Sequence, residues 1–199
     1  MEKTDNSTRC PWCGTDPLYV AYHDLEWGRP ERDGQKLFEL LILEAFQAGL
    51  SWITILRKRD SFRAAFQGFD PKIIATWAEP EVARLVQDPG IIRHRGKIEA
   101  AIRGAQAWLR IEAAQGFSPF LWSFTGGQPI LNHPIRLSDV PGQTAQSQAM
   151  SKALKAKGFN FVGPTITYAF MQAAGMVNDH LASCAFRNAP LAFAPQRAI

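Results

Sequence analysis

Leu85-Val-Gln-Asp-Pro-Gly-Ile-Ile-Arg-His-Arg-Gly-Lys-Ile98 is the stretch of sequence that decides the fold. It leaves the end of one predicted helix, turns at Gly90, continues through the apolar pair Ile91 and Ile92, and enters a second helix. Glycine lets a backbone approach a phosphate closely, and free N–H groups at a helix start receive anions, so the pattern indicates a phosphate-binding helix-hairpin-helix. Four side chains add positive charge there: Arg93, His94, Arg95 and Lys97. A helical corner with a solvated basic face is the alternative.

A second turn, Gly163-Pro-Thr-Ile166, has a similar but weaker character. Proline favours the first turn of a helix, which places Thr165 beside free backbone N–H groups. We therefore expect a second phosphate contact at this point.

The composition is that of an ordinary globular protein. The chain has 199 residues, 46% hydrophobic and 20% charged, enough for a full core in one or two domains. No apolar run approaches the roughly 20 residues that a membrane span requires, so we expect a cytoplasmic location, in the cytosol or nucleoid, and no membrane partner. Three cysteines are too few for a disulfide framework and suit metal ligation in a reducing compartment. A net charge of +4 permits a polyanionic partner without requiring one.

Apolar residues recur at helical spacing almost everywhere, and no segment shows convincing strand alternation, so the sequence predicts an all-α fold. Predicted helices cover residues 33–49, 51–66, 95–115, 119–124 and 144–158, and others start at Asp70-Pro71, Pro80 and Pro164. Residues 125–143 are rich in glycine and proline, which indicates an irregular connection. We expect a single unit over residues 9–186, with poorly ordered tails at 1–8 and 187–199.

Glu44 lies on the apolar face of the predicted helix 33–49. Its neighbours on that stripe are Leu37, Leu40, Leu41 and Ala48. Burying an unpaired charge costs several kcal/mol or more, so this carboxyl group must be paired, protonated or turned toward a cavity that binds something. A salt bridge to one of the arginines is the alternative.

Aromatic residues are concentrated in the same part of the chain. They are Trp12, Tyr19, Tyr22, Trp27, Phe46 and Trp52. Such residues usually form core, but tyrosine and tryptophan also carry polar atoms, and a group of them beside a buried carboxyl group is typical of a pocket for a flat, electron-poor ring.

Two pairs of metal-ligand residues flank the chain: Cys10 with His23, and His180 with Cys184. Two thiolates and two imidazoles suit tetrahedral Zn²⁺, and four protein ligands leave no open position, which indicates a structural zinc clasp joining the N- and C-terminal segments. Two alternatives stay open: the four residues are satisfied separately, or Cys13 replaces Cys10 as the first ligand, because Cys10-Pro11-Trp12-Cys13 is itself a C-x₂-C pair.

Five segments resemble the 3-methyladenine DNA glycosylase I family of bacterial alkylation-repair enzymes. They are Asp16-Pro-Leu-Tyr-Val-Ala-Tyr-His-Asp24, Glu26-Trp-Gly28, Gln47-Ala-Gly-Leu-Ser-Trp52, Gly90-Ile-Ile-Arg-His-Arg-Gly-Lys-Ile98 and Val177-Asn-Asp-His180. The resemblance extends from about Arg9 to Cys184. Cys13 and the pair Ala45-Phe46 depart from the family pattern.

The resemblance implies an all-α glycosylase of the helix-hairpin-helix superfamily. It assigns one structural Zn²⁺ to Cys10, His23, His180 and Cys184, and a base pocket to Trp12, Tyr19, Tyr22, Trp27, Glu44 and Trp52. The implied partner is double-stranded DNA containing alkylated bases, and the implied state is a monomer.

The implied reaction is hydrolysis of the N-glycosidic bond of 3-methyladenine, which leaves an abasic site. The base must turn out of the duplex, and Gly49-Leu50-Ser51 is placed to fill the gap. Glu44 accepts hydrogen bonds from the exocyclic amine and opposes the charge of the ring. No aspartate occurs between the hairpin and Asp139, which fits water as the nucleophile. We also expect no lysine that would give the enzyme lyase activity, although Lys97 in the hairpin would contradict this expectation if it acted as one.

Two other classes of protein remain open at this stage. A catalytically silent DNA-binding protein would keep the hairpin and the zinc but needs no buried carboxyl group. A zinc hydrolase needs an open coordination position, which four protein ligands do not leave.

Overall fold

The computed structural model describes residues 8–188, and these residues form nine α-helices around an apolar core. The helices are α1 (Pro17–Leu25), α2 (Gly34–Gln47), α3 (Trp52–Ala65), α4 (Pro71–Ile74), α5 (Glu79–Leu85), α6 (Arg95–Gln115), α7 (Phe117–Trp122), α8 (Ala145–Lys157) and α9 (Pro164–Ala173). Short 3₁₀ turns cover Pro11–Cys13, Gln67–Phe69, Ser123–Thr125 and Leu137–Asp139. The helical fold predicted from the sequence is therefore confirmed for this part of the chain.

Helix α2 occupies the centre of the fold. It begins after Asp33, whose side chain accepts a hydrogen bond from the backbone N–H of Lys36 at 2.9 Å and so satisfies one of the free donors of the first turn. It packs against α3, α6, α7 and α9, which explains why Leu37, Phe38 and Leu41 are fully buried. Glu44 is therefore surrounded by other helices rather than by solvent.

Helix α1 is a feature that the helix predictions missed. It begins after Asp16, whose side chain accepts from the backbone N–H groups of Leu18 and Tyr19, and Pro17 occupies its first position. Its buried residues are Tyr22, His23 and Asp24 rather than aliphatic side chains. Its leucines, Leu18 and Leu25, are exposed instead, so the spacing of aliphatic residues does not mark the buried face of this helix.

The all-α prediction is incomplete in one place. Two parallel strands, β1 (Ile130–Leu131) and β2 (Val177–Asn178), pair within the described residues. The backbone N–H of Ile130 donates to the carbonyl of Met176 at 2.9 Å. Strands of two residues are too short to produce the period-two alternation from which strands are predicted.

The N-terminal segment crosses the end of α9 at very close range. The backbone N–H of Gly28 donates to the carbonyl of Gln172 at 3.1 Å, and that of Glu31 donates to Ala174 at 3.1 Å. Gly175 makes this approach possible, because its φ of 65° favours glycine and a Cβ atom there would lie 2.2 Å from the carbonyl carbon of Arg29. The crossing brings the two ends of the chain together.

Residues 1–7 and 189–199, where the sequence predicts poorly ordered tails, lie outside the described residues. Arg187 is described, and its guanidinium donates to the carbonyl of His180 at 2.9 Å. None of the helices in residues 8–188 has the length and apolar character needed to cross a membrane.

We expect Gly175→Ala to lower the free energy of unfolding by about 2 kcal/mol or more, because the new Cβ would overlap the backbone of Arg29 and the residue would keep a positive φ. Urea denaturation measures this change. Gly142→Ala is the matched control, since a Cβ at Gly142 meets nothing within 4 Å, and it should change stability by less than about 0.5 kcal/mol. Equal stability of the two variants would contradict the expected overlap.

Candidate active site

A cavity of about 320 Å³ opens between α1, α2, α9 and the segment around residues 137–140. Its walls contain every residue predicted for the pocket, namely Trp12, Tyr19, Tyr22, Trp27, Glu44 and Trp52. The remaining lining residues were not predicted: Gln47, Leu137, Val140, Ala169, Gln172 and Asp179. The volume falls within the roughly 300–1,000 Å³ that is typical of small-molecule sites.

The aromatic rings form walls and do not stack on one another. Trp12 lies 4.8 Å from Trp27 between ring centroids, at 66° between the ring planes. Tyr22 lies 5.3 Å from Trp52 at 44°. Rings tilted in this way fill little of the space between them and leave their faces available to a flat ligand.

Glu44 has no partner for one of its oxygens. The residue is only 3% exposed, and its Oε2 makes no hydrogen bond within the described residues. Burial raises the pKa of this carboxyl group to about 8. Neither an ion pair nor an arginine compensates its charge, so the salt bridge considered as an alternative does not form in residues 8–188.

Other polar atoms of the pocket are also held ready for a ligand. The indole Nε1 of Trp52 is buried and makes no hydrogen bond within residues 8–188. Burial, followed by the charge of Glu44, raises the pKa of Tyr22 well above its usual range, and burial also raises the pKa of Tyr19. Both phenols therefore stay neutral and keep their protons as donors.

Asp179 closes the pocket on the side of α9. Its Oδ2 accepts from the hydroxyl of Tyr168 at 2.6 Å and from Nε2 of Gln172 at 2.7 Å. Its Oδ1 accepts from Nδ2 of Asn132 at 2.7 Å. The one sequence signal for Asp179 is its place in Val177-Asn-Asp-His180, directly before a predicted metal ligand.

Ala45 and Phe46, which depart from the family pattern, do not line the cavity. The ring of Phe46 is fully buried and lies 4.8 Å from Phe62 and 5.8 Å from Phe66 between centroids. Phe46 thus belongs to the core behind the pocket.

The four predicted metal ligands meet in one buried cluster. Cys10, His23, His180 and Cys184 each offer a donor atom, and these atoms all lie within 4.8 Å of one another. Cys184 Sγ lies 3.6 Å from His23 Nε2 and 3.4 Å from His180 Nδ1, and Cys10 Sγ lies 3.7 Å from His180 Nδ1. A tetrahedral zinc site separates sulfur and nitrogen ligands by about 3.5 Å, given Zn–S and Zn–N bonds of about 2.3 and 2.0–2.1 Å.

Neighbouring groups orient the two imidazoles. Nδ1 of His23 lies 2.7 Å from Oδ1 of Asp24, which leaves Nε2 for the cluster. Nε2 of His180 lies 3.3 Å from the carbonyl of Trp27, which leaves Nδ1. Cys13 stays outside, because its thiol donates to the carbonyl of Cys10 at 3.2 Å. The geometry therefore places Cys10, not Cys13, in the cluster.

The basic stretch forms a hairpin between α5 and α6. The backbone N–H of Gly90 donates to Oδ1 of Asp88 at 2.7 Å, and Ile91 is buried beneath the turn while Ile92 is half-buried. Arg93 is exposed and forms no ion pair within residues 8–188. Arg95, in contrast, donates to Glu79 at 2.8 and 2.9 Å and lies 3.4 Å from Glu99.

The other residues expected to contact DNA fall into two groups. Gly49, Leu50 and Thr165 are exposed, and Leu50 is 43% exposed in the turn between α2 and α3. Lys97 differs from the expectation of a phosphate contact. It is only 7% exposed, and its Nζ donates to the carbonyls of Phe46 at 2.9 Å and Ala48 at 2.8 Å.

Residues 12–188 match the family model described as methyladenine glycosylase. The chain belongs to this family. It is 56% identical over 177 residues to DNA-3-methyladenine glycosylase 1 of Escherichia coli K12, an alignment that covers 88% of this chain and 95% of that protein. The resemblance noted in the sequence is thereby confirmed.

Solved structures agree with this assignment. A crystal structure of 3-methyladenine DNA glycosylase I superposes with a TM-score of 0.88 at 55% identity, covering 89% of this chain and 98% of that one. A variant of a 3-methyladenine DNA glycosylase I in complex with 3-methyladenine superposes with a TM-score of 0.88 at 39% identity, covering 90% and 97%.

Proposed function

We propose that this protein is a DNA base-excision repair enzyme that hydrolyses the N-glycosidic bond of 3-methyladenine and leaves an abasic site. The observation that carries the proposal is Glu44, whose unpartnered Oε2 lies in the wall of an aromatic cavity. The relatives named above support it, because they are 3-methyladenine DNA glycosylases along nearly their whole length. A silent DNA-binding protein would gain nothing from an uncompensated buried carboxyl group.

The pocket suits the charge of the lesion. 3-Methyladenine is cationic while attached to deoxyribose and departs as a neutral base, so the bond needs little help from a general acid. Aromatic faces attract a cation, and the carboxylate of Glu44 opposes its charge and accepts from the exocyclic amine. A cation in the cavity favours ionisation of Glu44, whose pKa burial has raised to about 8. Binding and charge compensation therefore reinforce each other.

We assign no covalent nucleophile to this protein and propose water instead. Asp179 is the other carboxylate among the residues that line the cavity, but its oxygens already accept hydrogen bonds from three donors. Lys97 is buried with its ammonium on two carbonyls, which disfavours the lyase role that the sequence left open. The enzyme is accordingly proposed to be monofunctional.

Duplex DNA is proposed to lie across the hairpin and the turn that carries Leu50. Gly90 and Arg93 at the hairpin and Thr165 at the start of α9 would contact phosphates. Leu50 would enter the gap left by the extruded nucleotide. The monomeric state, the nucleoid location and the single unit over residues 9–186 stay predictions.

We infer that the Cys₂His₂ cluster holds one structural Zn²⁺. The donor set and the sulfur-to-nitrogen distances fit a closed tetrahedral site. Burial raises the pKa of the Cys10 thiol to about 12, so this sulfur would be a thiolate at neutral pH only beside a cation. Four protein donors leave no position for water, which disfavours a zinc hydrolase.

The proposed function is tested with Glu44→Gln. We expect release of 3-methyladenine from methylated duplex DNA, measured in single turnovers with identification of the released base, to fall roughly ten- to hundredfold because a charge-assisted hydrogen bond is lost. In the protein without a bound base the neutral form of Glu44 dominates below pH 8. The wild-type rate measured well below saturating enzyme should therefore rise from pH 6 through pH 8 and level off above that, whereas the variant rate should stay flat.

The control lies on the same helix. Glu39→Gln removes a carboxylate that pairs with Arg63, and it should keep the wild-type rate and its pH profile. Stability measurements distinguish a role in the site from a structural role. Between about pH 4.5 and 8 the folded wild type keeps the proton of Glu44 while the unfolded chain has lost it, so the free energy of unfolding falls as the pH rises through this range. Glu44→Gln should remove this fall. Full activity with a large loss of stability would contradict the proposal.

Removal of a zinc ligand should cost both metal and fold. We expect elemental analysis to find about one zinc per wild-type chain and none in Cys184→Ala, and we expect the variant to melt roughly 10 °C or more lower, on the order of several kcal/mol, because a closed site contributes folding energy directly. Cys13→Ser is the matched control and should keep the metal, since Cys13 lies outside the cluster. Wild-type protein without zinc would refute the assignment.

Arg93→Ala should weaken binding to damaged and undamaged duplex alike and reduce the salt dependence of the affinity by about one ion, because a phosphate contact carries no sequence information. Arg95→Ala should have a smaller effect, since Glu79 and Glu99 already hold its guanidinium. Arg103→Ala, two turns further along α6, controls for the loss of charge. Titrations at several salt concentrations compare the three, and equal slopes would show that the hairpin is only a solvated surface.

A further inference from the structure

Lys97 joins two parts of the protein that are about fifty residues apart in sequence. It lies in the first turn of α6, directly after the hairpin, and its ammonium contacts the carbonyls of Phe46 and Ala48 at the end of α2. The last carbonyls of a helix have no partner within the helix and carry partial negative charge. A buried ammonium group is therefore well placed to hold the end of α2 against the start of α6.

The turn that follows α2 has little else to fix it. Gly49 has a φ of 85°, and a Cβ at this position would meet nothing within 4 Å. The other hydrogen bonds of the turn are local, such as Leu50 N–H to the carbonyl of Gln47 at 2.6 Å and Ser51 Oγ to Thr54 Oγ1 at 2.8 Å. Within residues 8–188, only the hydrogen bonds of Lys97 connect this turn to another helix.

The turn is bounded by pocket residues on both sides. Gln47 precedes it and Trp52 follows it, and both line the cavity. Leu50 projects from it with 43% of its surface exposed. A displacement of the turn relative to the hairpin would thus move Leu50 relative to DNA bound at the hairpin.

A lysine is a costly residue for packing alone. Desolvation lowers the pKa of Lys97, and a methionine would fill similar space without removing a charge from water. Its two carbonyl contacts fix the direction of the backbone at Phe46 and Ala48, which an apolar side chain does not do. This directional effect is what distinguishes the ammonium from simple filling of the core.

We propose that Lys97 is a positioning residue. It fixes the position of Leu50 relative to the hairpin, so that the hairpin binds phosphates and Leu50 enters the duplex at the same time. The proposal rests on the proposed function. It assigns Lys97 no contact with DNA and no step in bond cleavage.

The test compares duplex and free base with Lys97→Met. Binding of free 3-methyladenine, followed by quenching of tryptophan fluorescence, reports on the pocket and should stay within about twofold of wild type. Single-turnover excision from duplex should fall about tenfold or more, and a 2-aminopurine placed beside the lesion should show less unstacking. Lys72→Met removes an exposed lysine from α4 and should change none of these readouts.

A double-mutant cycle keeps the test decisive. If Lys97 acts through Leu50, Lys97→Met should have little further effect on excision in a Leu50→Ala background. Additive effects, or unchanged excision in Lys97→Met, would overturn the proposal, as would an equal loss of free-base binding and excision. If Lys97→Met does not fold, Lys97→Gln replaces it in the same cycle, because the glutamine amide still donates hydrogen bonds but carries no charge. Failure of the wild-type protein to release 3-methyladenine would instead overturn the proposed function.

Discussion

The cluster of Cys10, His23, His180 and Cys184 is the constraint on which the rest of the site depends. Three residues of the pocket wall lie within two positions of a ligand: Trp12 follows Cys10 by two positions, and Tyr22 and Asp179 each directly precede a ligand histidine. A shift of the cluster therefore moves three walls of the cavity at once. Stability and base recognition are linked through backbone segments of one or two residues.

The proposed function implies that Glu44 lowers stability in exchange for recognition of the base. A buried oxygen without a partner is unfavourable for the folded protein, yet in the proposed function it is the group that a cationic, amine-bearing ring would satisfy. Burial raises the pKa of this carboxyl group to about 8, so it is largely neutral at pH 7, and a bound cation would favour its ionised form. Selectivity of this kind requires a site that is incomplete without its ligand, and the helices packed around α2 supply the stability that makes an incomplete site tolerable.

Local sequence patterns predicted the features that depend on local chemistry. The stripe of α2 placed Glu44 in the interior because helical periodicity is strict, and the glycine and charge pattern located the hairpin. Helix α1 escaped notice because its buried face consists of Tyr22, His23 and Asp24. The strands β1 and β2 are too short to leave a pattern.

The same local patterns could not predict contacts between residues far apart in the sequence. Asp179 gains its place in the pocket wall from Asn132, Tyr168 and Gln172, which lie up to 47 residues away. Lys97 looked like part of a basic surface, since nothing in its neighbourhood reveals that its ammonium points inward to carbonyls of another helix. The sequence gives the charge of a residue, but the packing of helices determines the direction in which its side chain points.

The burial of sulfur has a consequence for an enzyme that works under chemical stress. The chain has three cysteines, and Cys10, Cys13 and Cys184 are 1%, 1% and 5% exposed. Methylating electrophiles attack thiolates readily, but only those that they can reach. An agent that methylates DNA would thus find none of the three thiols on the protein surface, which limits loss of the repair enzyme through alkylation of its own cysteines.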